Sequence, residues 1–243
     1  MKNIIQIITA CLILTSTFPV SAHSPNSILN VTASSGLNLR AEPGPHGQVI
    51  KTIPMGEQVT LTRDELGLGY ADRIDWVDGE WVLVMHEDDI GYVFDGFLTS
   101  LPLPNDVNEF SSFDLDLSGP LKAYAKNNFL PQAAPDTILG SNTIAILESY
   151  VQGHLLRQQD TDFHHRVSLD LVDTNVMEAY YILFNMLSSK AEKASFLSNS
   201  TFIEDELGKI RRVKIDIDHP IFITKNEENT SVKVLSFREG CTL

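Results

Sequence analysis

The chain has 243 residues, 43% of them hydrophobic and 21% charged, with a formal net charge of -14. That length suits two domains, and the apolar content can fill a core without metal or disulfide staples. Residues 31–104 carry 4 basic and 12 acidic groups and residues 105–243 carry 13 and 20, so neither half has the surplus of Lys and Arg that nucleic acid or an anionic lipid surface attracts.

Met1-Lys2-Asn3 is a short positive start, Ile4 to Leu14 is nearly all apolar, and Pro19-Val20-Ser21-Ala22 ends on small residues. This is the pattern of a secretory signal, too short for a stable span, with cleavage expected after Ala22 and no membrane insertion afterwards. A rival reading takes Ile8-Thr9-Ala10-Cys11 as a lipoprotein cleavage box that leaves Cys11 acylated. The apolar run continuing through Leu12-Ile13-Leu14, where a polar linker would be expected, favours plain export to the periplasm or beyond. Cys11 then leaves with the leader, Cys241 is the one remaining thiol, and no internal disulfide can form.

Residues 31–104 form the first unit, read as short strands between turns. Leu37 and Leu39 alternate with Asn38 and Arg40, Glu42-Pro43-Gly44-Pro45 must be a loop, and Val49 to Ile53 and Val59-Thr60-Leu61 are strands. Trp81 to Val84 is a third strong strand, Glu87-Asp88-Asp89 an acidic turn, and Gly91-Tyr92-Val93 a fourth. So many short strands in so few residues predict an all-β small closed barrel.

The run Gly36-Leu37-Asn38-Leu39-Arg40-Ala41-Glu42-Pro43-Gly44 resembles the "LNVRSGP" opening of bacterial SH3 (SH3b) domains. Trp81-Val82-Leu83-Val84 resembles their tryptophan strand, and Gly91-Tyr92-Val93-Phe94-Asp95-Gly96-Phe97-Leu98 resembles their closing "GYVFxGxL" element. The resemblance covers about a third of the chain and implies an SH3-like barrel that binds a peptidoglycan peptide or an extracytoplasmic protein. It places the ligand groove among Arg40, Glu42, Tyr70 and Trp76. Thr62 to Glu80 departs from the family as an insertion where a short hairpin loop is usual, and a loop this long is commonly functional or disordered. Tyr70 and Trp76 lie within it as a candidate recognition patch, whereas Trp81, Tyr92, Phe94 and Phe97 are read as barrel core or braces for the last turn.

Pro102-Leu103-Pro104-Asn105 reads as a linker into a second unit, residues 105–243, which resembles no family known to us. Leu121 to Phe129 is a short helix, and Thr143 to Gln152 fits helix or strand. Arg166 to Val172 alternates as a strand, and Asp173-Thr174-Asn175 supplies caps for an apolar helix from Val176 to Leu187. Ile210 to Ile217, Pro220 to Lys225 and Ser231 to Phe237 are three antiparallel strands. The predicted class is α+β: an antiparallel sheet with one main helix.

Cys241 has no structured His element after it, and no nucleophile elbow, phosphate loop or dinucleotide fingerprint occurs. His154, His164, His165 and His219 lack the spacing of zinc ligands. The expectation is a non-enzymatic binding protein without cofactor or metal. Two alternatives remain open: a wall-targeted hydrolase using groups near His154, His164 or Asp170, or an inhibitor or sensor whose second unit is the binder.

Overall fold

The structure, a computed structural model, describes residues 25–62, 70–104, 115–227 and 229–237. The leader with Cys11 and Ala22, the segment 63–69, most of the acidic stretch after Pro104, and Cys241 lie outside the described residues.

The N-terminal sheet consists of β1 (Ile28–Val31), β2 (Leu37–Arg40), β3 (Val49–Ile53), β4 (Gln58–Leu61), β5 (Tyr70–Ile74), β6 (Val77–His86), β7 (Asp89–Phe94) and β8 (Leu98–Thr99), with a 3-10 turn at Asp95–Phe97. Its hydrogen-bonded order is β3-β2-β7-β6-β4-β1-β8, with β5 alongside β6. The alternation seen in sequence becomes burial: Leu29 and Val31, Leu37 and Leu39, and Val59 and Leu61 all point into one small core with Val84, Val93 and Leu98. Described pairings run from β3 to β8 without a bond joining the two ends, so the expected closure is not made by strand pairing. Part of the expected long loop is also a hairpin. Tyr70 to Ile74 pairs in register with Trp81 to Val77 across a turn at Asp75-Trp76, and Asp75 takes φ 55° there.

The second unit contains α1 (Ser118–Asn128), β9 (Asp136–Leu139), β10 (Thr143–Ser149), β11 (Leu155–Thr161), β12 (His164–Val172), α2 (Val176–Asn185), α3 (Lys190–Ser198), β13 (Ser200–Glu204), β14 (Ile210–Ile215), β15 (Ile221–Lys225) and β16 (Asn229–Phe237). Eight strands form one antiparallel sheet in the order β13-β14-β15-β16-β12-β11-β10-β9. Strands outweigh helices, and the described residues hold three helices where one main helix and a short one at Leu121 to Phe129 were expected. The third begins at Ser189, whose side chain and that of Glu192 form a capping box. Thr143 to Ser149 resolves as strand because β9 and β11 pair with both its edges.

Register explains the second core. Ile215, Ile221, Val234 and Val167 align across four strands, and Val213, Ile223, Val232, Leu169 and Leu156 form the adjacent row. All are buried under the helices. Asn175 accepts the Glu178 amide and Glu178 accepts the Asn175 amide, so α2 starts from a full capping box and lays Ala179, Ile182 and Leu183 on those rows.

The two sheets share one apolar cluster. Val77, Trp81, Phe94 and Leu101 of the N-terminal unit join Leu121, Tyr180, Leu183 and Ile223 of the second. Trp81 meets Phe94 at 5.8 Å and Phe94 meets Phe97 at 5.7 Å, each pair with tilted rings, and Phe97 lies edge-on at 5.5 Å to Tyr181 of α2. Thus Trp81 and Phe94 are buried as expected, yet in the cluster shared with the neighbouring unit rather than in the N-terminal sheet's own core. Polar ties flank the seam: the Asn185 side-chain amide donates to the Thr32 carbonyl, and the Tyr124 hydroxyl donates to the Pro102 carbonyl.

Candidate binding cleft

Arg40, Tyr70 and Trp81 come onto one face of the N-terminal sheet, because Tyr70 is directly opposite Trp81 and Arg40 directly opposite Tyr92. The Arg40 guanidinium lies over the Trp81 ring at 5.7 Å from its centre and donates to the Gly47 carbonyl at 2.7 Å. The Trp81 indole N–H donates to Asp72 at 2.8 Å. Arg40 is therefore occupied with holding the tryptophan and the 41–48 loop. Glu42 is likewise engaged, accepting the Gln48 amide within that loop. Tyr70 opens β5 and Trp76 lies in the turn past its far end, at least about 13 Å away along the strand, so they do not form a single patch.

Trp76 stands differently from the other aromatics. It occupies the tip of the β5–β6 hairpin with 61% of its surface exposed. Behind it the hairpin is tied to the second unit: Arg73 bonds to Glu204 and to the Gly208 carbonyl, and pairs with Asp78 across the hairpin. The tip thereby overhangs the end of the second sheet, where a cleft of about 220 Å³ opens.

The cleft's floor follows from the register. Moving along the inner face past Val213 and Ile223, the next inward positions are Arg211 and Lys225, and α2 begins above them at Asn175. Val176 and Met177 supply an apolar wall, while Lys209, Arg211 and Lys225 bring three cations against one carboxylate, Asp78. Arg211 pairs with Asp205 at 2.7 Å, which holds the Asp205 carboxyl below the usual range. Lys225 donates to the Thr174 carbonyl at 3.0 Å. Lys209 has no carboxylate partner among the described residues. Sequence reading found Trp76 but none of these cations, since they come from two strand ends and a turn that only tertiary pairing brings together.

Two carboxyl groups lie buried beside this seam. Burial pushes Glu178 up to about 7, offset by the Asn175 amide and reinforced by the charge of Asp95. Burial likewise raises Asp95 to about 6, against the pull of the Glu80 amide it accepts at 2.6 Å. Each carboxyl is engaged with backbone amides, so these shifts are consequences of packing at the seam.

The histidines are dispersed. His154 lies against Phe129 with its Nδ1 accepting the Val172 amide, and burial lowers its pKa. His165 pairs with Asp160 at 2.7 Å, and His164 is hydrogen-bonded to Thr161. His164 and Asp170 are six residues apart on β12, about 20 Å. Among the described residues no group of three or more His, Cys, Asp or Glu side chains converges on a metal position, and no helix is long and apolar enough to cross a membrane.

No curated protein and no solved structure matches the chain. Residues 35–99 match the bacterial SH3 domain family, a span that covers β2 to β8 of the N-terminal sheet, with Trp81 and the Trp76 hairpin.

Proposed function

We propose that this is an exported, non-enzymatic binding protein, periplasmic or secreted, that takes a cell-wall peptide or an extracytoplasmic protein segment at the cleft beneath Trp76. The observation that carries the reading is Trp76 itself: a large aromatic left 61% exposed at the mouth of a cleft. Isolated exposed aromatics are ordinary, but tryptophan beside a concave, partly apolar wall is the composition of a binding hot spot. The bacterial SH3 match supports peptide or wall binding as the class. Lys209, Arg211 and Lys225 favour a carboxylate-bearing peptide over a neutral one. The second unit then completes the site rather than acting as a spacer.

The test is co-sedimentation of residues 23–243 with purified peptidoglycan sacculi. Wild type should pellet with the wall and Trp76→Ala should remain in the supernatant, with both melting at the same temperature because the ring contributes little burial. Failure of the wild type to pellet would remove the wall as ligand. Pelleting by both proteins would remove Trp76 as the contact.

A further inference from the structure

We infer a second binding surface, on the face of the C-terminal sheet opposite the helices, suited to a linear phosphate polymer. Lys214, Phe222, Lys233, Ser168 and Arg157 form one cross-strand row. Lys214, Phe222, Lys233 and Arg157 alternate in sequence with core residues, and Ser168, itself buried, is paired with both Lys233 and Arg157, so the row faces away from the helix side. Arg166 lies two residues before Ser168, and Arg212 two before Lys214, on the same face. Five cations therefore share one side of five adjacent strands, in a chain whose net charge is -14.

Arg157, Arg212 and Lys233 are exposed, and Arg166 and Lys214 are half-buried. Lys214 pairs with Asp216 at 3.0 Å. The other four have no carboxylate partner among the described residues, and the Arg166 Nε is buried without a hydrogen-bond partner. Asp170 is the one carboxylate within these rows on the central strands. Neutral Phe222 and Ser168 separate the row's cations, which spares them direct like-charge contact and spaces them about 10 Å apart at two strand widths.

The chain's overall acidity does not decide this surface. At physiological salt the Debye length is about 8 Å, so a ligand lying on the face responds to these five cations more than to carboxylates on the helix side. Three of the five are arginines, whose forked donors match phosphate oxygens. Shape selects a polymer over a bilayer. Four strand steps separate Lys214 from Arg157, a rotation of roughly 80–100° from sheet twist, so the cations cannot all meet a plane, whereas a flexible chain can follow them diagonally.

The test uses residues 23–243 and fluorescently labelled long-chain inorganic polyphosphate, followed by anisotropy across a salt series. Wild type should bind saturably at low salt, with affinity falling linearly in log salt. Arg157→Gln/Lys233→Gln, both at exposed positions, should lose at least about tenfold in affinity and lower the salt slope by roughly 1.4. Lys122→Gln/Lys190→Gln, on α1 and α3, should bind as wild type. Equal loss in both pairs would reduce the effect to bulk charge and overturn the site, as would absence of wild-type binding at low salt. Anionic phosphatidylglycerol vesicles that bind more tightly than polyphosphate in a competition would overturn the polymer assignment. Trp76→Ala should leave polyphosphate binding unchanged, which keeps this result separate from the wall-peptide reading.

Discussion

Glu178 shows how one side chain carries several levels of this structure. It closes the capping box of α2, contacts Thr99 of the N-terminal sheet, and sits in the field of Asp95 and Lys225. Its pKa in the fold, about 7, lies above its ordinary value of 4.5. The folded state thus holds the proton more tightly than the unfolded chain. The resulting stabilisation is full below pH 4.5 and is lost as pH rises through about 7. Asp95 acts in the same direction and loses its share as pH passes about 6. Glu178→Gln keeps an acceptor for the Asn175 amide but removes the ionisation. Its melting temperature should match wild type near pH 4.5 and exceed it by pH 8, by on the order of 2–3 kcal/mol in denaturant titrations. A variant equal to wild type at both pH values would show that Glu178 is not buried as described.

At the scale of elements, the β5–β6 hairpin is fixed by close backbone approach. A Cβ on Gly79 would meet Asp95 Oδ1 at 2.6 Å and the Gly96 nitrogen at 2.8 Å. A Cβ on Gly96 would meet Phe94 and Val77 carbons at 2.6 Å. These glycines let the hairpin lie against the 3-10 turn and so aim Trp76 over the cleft. Gly96→Ala should cost about 2 kcal/mol by overpacking, seen as a lower melting temperature, and should weaken ligand binding by displacing the hairpin. Little of this was visible in the residue pattern. The stretch from Thr62 to Glu80 reads as a loop because Tyr70-Ala71-Asp72-Arg73-Ile74 has no clean apolar alternation, and it becomes strand through pairing with a strong neighbour, β6. The three-helix content was partly legible: Ser189 and Glu192 have capping-box spacing, although the weakly apolar helix after them gave no periodic signal. β11 and β9 left almost none, as Arg157-Gln158-Gln159-Asp160 is polar throughout and pairs on both sides without burying much.

The whole molecule behaves as one body because its two sheets share a core. Trp81 and Phe94 are buried only while α2 and its neighbours cover them. Removing residues 105–243 would expose two large aromatic side chains on one face, a patch that soluble monomers avoid. Calorimetry of residues 23–243 should therefore give a single cooperative unfolding transition. The fragment 25–104, which keeps β1, should melt lower and bind a hydrophobic dye in its native state. Two well-separated transitions in the longer protein would show that the shared cluster does not couple the sheets.

The sequence by itself determined the N-terminal bacterial SH3 module, the strands with clear apolar alternation such as Leu37 to Arg40 and Arg166 to Val172, and helix α2 with its caps. Those signals are local: period-two and 3.6-residue burial and short capping motifs depend on residues within a few positions of one another. It also singled out Trp76, through an aromatic placed where the family has a short loop. Tertiary structure alone decided that the aromatic face of the N-terminal sheet packs on a second unit, and that Lys209, Arg211 and Lys225 gather under Trp76. It alone placed five cations of an acidic chain on one sheet face. The physical reason is common to all three: net charge and hydropathy sum along the chain, whereas strand register and helix docking decide which charges become neighbours.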